Sequence, residues 1–416
     1  MTTQKRSAAN RTLFLQVAWR NLWRNRRRTL LTVAAIAFGM WLVQFAMSFQ
    51  SGSYGPMIEL GTRMGTSHLQ VLRASFHGEP RIEFTLHNVT ERLAQLDADD
   101  RLLQASARAD AFALVSNDPH SSAALITGVI PEREMRLSDL PSKTVAGSYI
   151  SGDNQAFIGA ALARNLQLDV GGELVLIGTN IEGGIGAAVV EVVGIFEATA
   201  AMERVLVQIS LGTFQEAFDM VNQAHRLIAE VEDPQDLNEG KVALQDVVHD
   251  GEIVVDWAEL MPEISQGIEI DIVSNAVLQF VLILIIVLSI MNTFVMTLFE
   301  RTRECGMLFA IGMRRWAVYR MTVVEAVLLW LVGTVCGGVL TCLLVVPLMF
   351  TGVPIPASED AMQAQFAFMP TSIYPDLSWW AVVIAPLTIG IGALLSVSVA
   401  SIRLARLNII SALRTE

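Results

Sequence analysis

The chain has 416 residues, of which 52% are hydrophobic and 17% are charged, and its formal net charge is −12. A soluble globular protein usually carries about 25% charged residues, so the composition predicts long apolar segments and argues against a wholly soluble protein. The three cysteines are Cys305, Cys336 and Cys342. No spacing of Cys and His resembles a zinc site, and we expect no bound metal.

Charge is distributed unevenly along the chain. Residues 1–28 hold eight basic side chains and no acidic one, whereas residues 51–271 hold 34 Asp/Glu against 13 Lys/Arg. This pattern is typical of a membrane protein that obeys the positive-inside rule. Because an apolar run follows the basic tail at once, we predict a membrane flank and no nucleic-acid partner. Within the tail, Leu13 to Arg28 has the composition of an amphipathic helix in the membrane interface, or of a helical extension of the first span.

Four apolar runs are each long enough to cross a bilayer, which takes about 20 residues in a helix. The first begins at Thr29 and has 22 residues without a charge. The apolar core of a cleaved signal peptide is shorter, about 7–15 residues, so we interpret this run as an uncleaved first helix. The predicted transmembrane helices are residues 29–50, 272–299, 318–350 and 379–402.

Basic residues set the predicted orientation. Arginines concentrate in loop 300–317 and in tail 403–416, as they do in 1–28, so these three segments are predicted to be cytoplasmic. Region 51–271 and loop 351–378 then lie outside. We expect a multi-pass protein of the bacterial inner membrane with both termini in the cytoplasm.

Region 51–271 alternates between strand-like and helix-like runs, in one lobe or two. The predicted strands are residues 123–130, 173–180, 188–196 and 204–210. The predicted helices are residues 91–107, 154–168 and 212–221. Glycine pairs at Gly171–Gly172 and Gly183–Gly184 mark turns. The predicted fold class is an integral membrane α-helical protein of four transmembrane helices, with a large mixed α/β extracytoplasmic domain between helices 1 and 2.

Motifs that would mark an enzyme are missing from these 416 residues. The one Gly-Lys pair, Gly240–Lys241, is followed by Val242, so no hydroxyl is placed to bind Mg²⁺ as in a nucleotide-binding loop. There is no serine nucleophile elbow and no zinc-protease motif. We predict no catalytic residue, and any energy source must lie in a partner.

The most informative segment follows the second predicted span and reads ERTRECGMLFAIGMRR from Glu300 to Arg315. Small and apolar residues stand between charged ends, which favours a short surface helix that needs a protein groove. An ordinary positive-inside loop is the alternative interpretation.

This segment closely resembles the coupling segment of the FtsX-like permease superfamily, which includes the lipoprotein-releasing permeases LolC and LolE and the MacB permeases. The resemblance implies that an ATPase docks on Glu300, Arg301, Arg303, Glu304, Gly306, Met307, Leu308, Ala310, Ile311 and Gly312. Cys305 and Phe309 depart from the family pattern, and the second departure can alter a polar contact with the ATPase. The stretches 21–39 and 157–176 and the C-terminal end also resemble the family.

The resemblance implies a permease that binds no cofactor itself and uses ATP and Mg²⁺ through a cytoplasmic ABC ATPase dimer. It also implies a second permease subunit, identical or not, contact with membrane lipids and, in some members, a periplasmic carrier or adaptor. Three functions stay open: extraction of lipoproteins or another amphipathic substrate from the outer leaflet, FtsX-like signalling to an extracytoplasmic enzyme, and MacB-like tripartite efflux.

Features inside the spans suggest further site residues. Gly333 and Gly337, with Gly338 adjacent, have the spacing of close helix packing, and packing between subunits is one interpretation. Glu325 is a functional candidate as an ionisable residue within a span, or it pairs with Arg320 or reaches the headgroups. A predominantly apolar interior suits acyl chains, and we expect a substrate cavity near Phe45, Met47 and Phe280.

Overall fold

A computed structural model describes residues 19–20, 22–300, 307, 313, 315–354 and 372–405. The predicted amphipathic helix of 13–28 therefore lies outside the described residues over most of its first half, as do most of loop 351–378 and the end of the C-terminal tail. The chain forms two compact units. The outer unit begins at Gly55 and runs to Gly267, and the membrane unit holds the described residues on either side of it.

Helices are described in both units, together with a π-helical turn at Thr62–Thr66 and a 3₁₀ turn at Leu140–Lys143. In chain order the α-helices are α1 Arg26–Gly61, α2 Ala74–Gly78, α3 Val89–Asp97, α4 Pro131–Leu137, α5 Ala160–Leu166, α6 Ala200–Val205, α7 Leu211–Ala217, α8 Asn238–Gln245, α9 Trp257–Leu260, α10 Pro262–Glu300, α11 Arg315–Thr351 and α12 Trp379–Ala405.

Strands β1 to β12 belong to the outer unit, and β13 and β14 pair in the membrane unit. In chain order they are β1 Leu69–Arg73, β2 Leu86–His87, β3 Gln104–Asn117, β4 His120–Val129, β5 Thr144–Gly147, β6 Gln155–Gly159, β7 Glu173–Thr179, β8 Ile185–Phe196, β9 Leu206–Ser210, β10 Gln223–Ala224, β11 Arg226–Glu230, β12 Glu252–Asp256, β13 Val353–Pro354 and β14 Ser372–Ile373.

Four of the described helices, α1, α10, α11 and α12, are long and apolar enough to cross a membrane by length and composition. They contain the apolar runs that the sequence predicts as spans. Helix α1 has 36 residues and α10 has 39, which at 1.5 Å per residue exceeds the roughly 30 Å of a hydrocarbon core. Both helices therefore extend well past the predicted apolar runs.

The outer unit is built on a ten-stranded sheet, six strands of which close into a ring in the order β3, β4, β9, β6, β8 and β7. Two pairs, β4 with β9 and β6 with β8, are parallel, and the other four are antiparallel. Closure leaves no free edge within the ring. The core of the unit includes Phe214 and Phe218 of the α7 region, both fully buried.

Strand β3 joins the ring to the rest of the sheet. Its residues from Arg108 to Asn117 pair with β4 along one edge. Along the other edge, its first part pairs with β11 and its second part with β7. Strands β11, β1 and β12 thus extend the sheet away from the ring without a break in backbone pairing.

Two predicted helices in the outer unit are partly wrong. Residues 104–107 of the predicted helix 91–107 begin β3, and residues 155–159 of the predicted helix 154–168 form β6. The first stretch is rich in alanine, a strong helix former. Small side chains at Ala105 and Ala107 are 1% and 0% exposed in the sheet, so tertiary packing overrides the local preference.

Candidate functional sites

The predicted ATPase-coupling segment lies almost wholly outside the described residues. Glu300 is the last residue of α10, and Met307 is helical with 52% of its surface exposed. The other predicted contact residues lie outside the described part of the chain: Arg301, Arg303, Glu304, Gly306, Leu308, Ala310, Ile311 and Gly312. Docking on this segment therefore stays a prediction.

The three predicted packing glycines of α11 differ in how closely other residues approach them. A Cβ added at Gly333 would meet Ile36 Cγ2 at 2.5 Å, and one added at Gly337 would meet Met40 Cβ at 3.1 Å. Both neighbours belong to α1 of the same chain. A Cβ at Gly338 would meet nothing within 4 Å. Two of the three glycines therefore let α1 and α11 approach within one subunit.

Glycines also lie at the other crossings of the four long helices. A Cβ at Gly39 of α1 would overlap Ile286 of α10, and one at Gly392 of α12 would overlap Val287 of α10. A Cβ at Gly390 of α12 would meet Trp330 of α11 at 2.8 Å. The described helices thus close a cycle, α1–α11–α12–α10–α1, with a glycine at every contact.

Hydrogen bonds cross two of these contacts at α11. The Thr341 hydroxyl donates to Gln44 Oε1 at 2.7 Å, and this pair joins α11 to α1. Trp330 Nε1 donates to the Pro386 carbonyl of α12 at 2.9 Å. Gln44 is only 2% exposed, so its bond to Thr341 satisfies a polar group inside the membrane unit.

The two crossings of α10 carry hydrogen bonds as well. Tyr54 Oη of α1 donates to Asp271 Oδ2 at 2.8 Å, and the Ser396 hydroxyl of α12 is 3.3 Å from the Val287 carbonyl. Polar bonds between membrane helices contribute about 0.6 kcal/mol each on average. Close glycine contact together with a modest polar bond is therefore the repeated element of this unit.

The residues predicted to line a substrate cavity do not share one environment. Phe45 is half-buried in an aromatic row on α1, with ring centroids 5.9 Å from Trp41 and 6.0 Å from Phe49. Met47 is half-buried on the same helix, and Phe280 on α10 is 66% exposed. Their role at a substrate stays a prediction.

A small apolar cavity of about 140 Å³ lies instead between α11 and α12, where Trp330 and Leu387 are among its lining residues. Its lining includes none of the three predicted residues. Nearby on α11, Glu325 is 5% exposed, whereas Arg320 is exposed. Glu325 thus lies inside the unit rather than at its surface.

The C-terminal end of α1 belongs to the outer unit, where ion pairs hold it against neighbouring segments of that unit; we call these pairs the ionic junction. Arg63 pairs with Glu59 one turn earlier. Its other guanidinium nitrogens lie 3.5 Å from Asp139 Oδ1 and 3.4 Å from Glu230 Oε1. Glu230 belongs to β11, so Arg63 ties the helix end to the sheet.

A second arginine of the junction is fully buried. Arg108 of β3 forms a two-pronged pair with Glu134 at 3.0 and 2.7 Å, and the side chains are 3% and 1% exposed. It also donates to the carbonyl of Gly65, whose φ of +153° is favoured only for glycine. Burial, followed by the charge of Glu134, raises the pKa of the nearby Tyr149.

Glu59, His68 and Glu230 have ligand atoms within 4.8 Å of one another, which is a spacing that could hold a metal ion. The chemistry of the donors does not fit one. The Val231 N–H donates to His68 Nδ1 at 3.2 Å, so the proton of the neutral ring belongs on Nε2, which faces Glu59. Arg63 already supplies the positive charge between the two glutamates.

Sequence reasoning missed the glycines of α1 and α12 and the whole ionic junction. Spacing within one helix indicates a small-residue face, but the partner helix is set by tertiary packing. Arginines at 63 and 108 stand in an acidic region where most charges face solvent, and no local pattern separates them from the rest. The helix end after Gly61 is the one local signal that sequence analysis could have used.

Comparison with known families identifies both halves of the chain. The profile of the MacB-like periplasmic core domain matches residues 29–247, and the profile of the FtsX-like permease C-terminal region matches residues 276–409. The first alone covers more than half of the chain. The resemblance seen in the sequence is thus confirmed.

Curated relatives include pyoverdine export ATP-binding/permease proteins PvdT from two Pseudomonas species. That of Pseudomonas entomophila is 27% identical over 375 residues, covering 85% of this chain and 55% of the relative. That of Pseudomonas fluorescens is 25% identical over 376 residues with the same coverage. The chain therefore spans about half the length of the curated relatives it matches.

Solved structures with local similarity include two outer domains. The periplasmic region of MacB from Actinobacillus actinomycetemcomitans gives a TM-score of 0.37 at 10% identity, over 50% of this chain and 94% of that one. The extracellular domain of the Gram-positive transporter YknZ gives 0.34 at 13% identity, over 46% and 100%. The assignment rests on the sequence profiles rather than on these values. On that ground the chain belongs to the family of ABC transporter permeases that combine an FtsX-like membrane region with a MacB-like periplasmic core domain.

Proposed function

We propose that this chain is a permease that works as a lever. ATP hydrolysis in a cytoplasmic ABC ATPase drives movement of the membrane helices, and the helices move the outer unit to take an amphipathic substrate from the outer leaflet. The chain itself binds neither ATP nor Mg²⁺ in this proposal, because its 416 residues contain no nucleotide-binding loop.

The observation that carries the proposal is the course of two long helices. Helix α1 passes from the membrane unit into the outer unit between Tyr54 and Gly55, and α10 passes back between Gly267 and Ile268. A continuous helix transmits displacement better than a flexible linker, since each turn is held by backbone hydrogen bonds. The ionic junction fastens the end of one of these helices to the sheet.

A second permease subunit is part of the proposal. Although Ile286 and Ile290 of α10 are buried against the other helices, much of its apolar surface is exposed within this chain, including Val277, Phe280 and Ile285 at 58–66%. Lipid or a neighbouring helix must cover that surface, and membrane oligomers are usually symmetric. A pair of permeases with two ATPases beneath gives each α10 such a neighbour.

Two substrate classes follow from different observations. The apolar faces of the spans favour a client with acyl chains, such as a lipoprotein, each buried methylene contributing about 0.8 kcal/mol. The names of the curated relatives favour a secreted small molecule, because those proteins are described as pyoverdine exporters. We keep lipoprotein extraction as the first candidate.

The ATPase contact is tested at the predicted coupling segment. Gly306→Trp and Gly312→Trp should each uncouple ATP hydrolysis from transport in the reconstituted complex, because a bulky indole prevents close approach of the partner. Val221→Trp, at an 82% exposed position of the outer unit, is the control and should leave coupling intact. Full ATPase association and transport in both coupling variants would count against docking there.

Orientation is tested by labelling single cysteines from outside in a chain whose native cysteines are replaced. A cysteine at Asp153, in the outer unit, should react with an impermeant reagent, and one at Arg314 should be protected. The reverse pattern would overturn the orientation and the lever with it.

The client is tested by photo-crosslinking from Phe45, Met47 and Phe280 in cells that carry the whole complex. Capture of lipid-modified protein, together with mislocalised lipoproteins on depletion, is the expected result. If neither occurs and a secreted metabolite accumulates inside the cell instead, export replaces extraction. If neither process changes, the FtsX-like signalling function becomes the better account.

A further inference from the structure

The outer unit contains a cavity of about 550 Å³, beside the sheet at β1, β3, β4 and β11, that none of the sites above uses. Ligand pockets for small molecules usually measure about 300–1,000 Å³. The loop after α2 closes one side of it through Pro80 and Ile82, and Leu72 and Phe76 form part of another. The cavity therefore lies wholly within the outer unit and has the size of a ligand site.

Part of its mouth is apolar and continues onto an exposed face of the sheet, although the exposed charged side chains of Arg81 and Glu83 also line the cavity. Phe112 and Leu125 are cross-strand partners in β3 and β4, and both line the cavity. Phe112 is 72% exposed, and beyond it Leu114 pairs with Ile177 of β7, at 47% and 42% exposure. The solvent-facing positions of a sheet are normally polar. This row of exposed apolar side chains beside a cavity therefore favours an apolar ligand.

The floor of the cavity holds two polar groups that lack partners. Gln70 lines the cavity and is 1% exposed, and its Oε1 accepts no hydrogen bond from any described residue. Arg226 also lines the cavity and pairs with Asp110 at 2.6 Å, yet its buried Nε–H has no described acceptor. Buried polar atoms are nearly always bonded, so each of these is a candidate contact for a bound ligand.

We propose that this cavity binds an amide group carried on an apolar chain, as in an acylated peptide. The N–H of the amide donates to Gln70 Oε1, its carbonyl accepts from Arg226 Nε–H, and the chain lies against Phe76, Phe112 and Leu125. One acceptor and one donor on neighbouring strands match the two polar ends of an amide, which a simple hydrocarbon or an ester does not offer. The proposal rests on the proposed function, since it supplies a place for the client of the permease.

A buried histidine holds several lining residues of this cavity in place. His225 accepts from the Asp110 N–H through Nδ1 at 2.9 Å and contacts the Ile82 carbonyl through Nε2 at 3.0 Å. Its ring also stacks on Phe76 with centroids 4.8 Å apart. Three lining residues are thus held by one side chain, so the cavity is formed before a ligand arrives.

Binding is measured by equilibrium dialysis of radiolabelled N-octylacetamide against the full chain in phosphatidylcholine nanodiscs, with empty nanodiscs subtracted. Octyl acetate is the matched probe that lacks the N–H donor. We expect one saturable site per chain, with the amide binding about two- to tenfold more tightly than the ester, the range of one neutral hydrogen bond.

Variants locate the site. Thr179→Trp fills the cavity from an exposed lining position and should weaken both probes at least tenfold, as should Phe112→Glu at the exposed mouth. Gln70→Met should lower amide binding to the level of the ester and leave the ester unchanged. Val221→Trp, at an 82% exposed position outside the lining, is the matched control and should bind both probes normally.

Three results would overturn the proposal: no saturable binding, equal affinity for amide and ester, or undiminished binding in both Thr179→Trp and Phe112→Glu. The assay needs neither ATP nor a partner, so probe binding can succeed even if the lever function fails. In the reconstituted complex, loss of client transport in Thr179→Trp but not in Val221→Trp supports the link between the two. Full transport in Thr179→Trp would remove the cavity from the route of the client.

Discussion

The interactions that stabilise the membrane unit internally differ from those that stabilise the outer unit internally. In the membrane unit, helices meet at glycines such as Gly333 and Gly392, and hydrogen bonds cross the contacts. In the outer unit, a strand ring encloses an apolar core, and buried pairs such as Arg108–Glu134 and Arg92–Glu252 join distant segments.

The difference follows from the two surroundings. Between apolar helices in lipid there is little hydrophobic gain from association, so close backbone approach and modest polar bonds carry the packing. In water, burial of the outer core is strongly favourable and can offset the desolvation of an ion pair. We therefore expect the helix contacts to be the adjustable part of the molecule and the outer unit to move as one body.

The largest expected effect of a single substitution is at the buried pair of the ionic junction. Arg108→Ala leaves Glu134 buried without its partner and should destabilise the outer unit by about 3–5 kcal/mol. Hydrogen exchange of the β3 and β4 amides, followed by mass spectrometry of the full chain in nanodiscs, measures the loss. Arg164→Ala removes the long pair of the exposed Arg164 with the half-buried Glu203, 3.8 Å apart, and should cost at most about 1 kcal/mol. Equal effects of the two variants would contradict the assigned role of burial.

A smaller effect is expected at a helix crossing. Gly333→Ala places a methyl group against Ile36 and should destabilise the membrane unit by about 1–3 kcal/mol through overpacking. Thermal unfolding followed by tryptophan fluorescence measures it. Gly338→Ala has open space and should be neutral or stabilise the helix by up to about 1 kcal/mol. In the double variant with Ile36→Ala the combined loss should be less than the sum of the two single losses, and strict additivity would argue against the contact.

The smallest effect concerns pH and the outer unit alone. Burial lowers the pKa of His225, with Asp110 and Arg226 as the nearby charges. Because the folded pKa is lower than the unfolded value near 6.5, the unfolded state binds more protons as the pH falls. The contribution of His225 to the free energy of unfolding is fully present above about pH 6.5. It declines as the pH falls toward the folded pKa, by at most about 1.4 kcal/mol for each pH unit.

Exchange rates of the β3 amides, corrected for intrinsic rates between pH 7.5 and 5, measure this decline. His225→Gln retains a hydrogen-bonding side chain without a titrating ring, so its slope should be shallower than that of the natural chain. Identical slopes in the two proteins would assign the pH dependence to other groups.

Much of the architecture could be predicted from sequence because its causes are local. Apolar run length locates the spans, and alternation predicts strands such as β4 and β8 in nearly the right places. The error at residues 104–107 arose where alanines have high helix propensity but lie at the buried face of a long strand. The closed ring could not be predicted, since it depends on which distant strands pair.

The site residues also differ in whether a local sequence pattern could identify them. The glycines of α11 stand out by their spacing, whereas Gly39 and Gly390 acquire meaning only when their partner helices are known. Gln70 and Arg226 are separated by more than 150 residues in the chain and meet through sheet pairing. Local pattern identifies candidate residues, and long-range pairing decides which of them form a site.

The central claim, that movement passes through the helices that enter the outer unit, is tested most directly by interrupting one of them. Four glycines inserted between Gly267 and Ile268 break α10 where the units meet in sequence, and the same insert after Gly183 lengthens an exposed turn with open space around it. ATP hydrolysis and client transfer are measured together in the reconstituted complex. We predict that the α10 insert retains hydrolysis but abolishes transfer, whereas the turn insert retains both. Full transfer with the α10 insert would contradict the lever account.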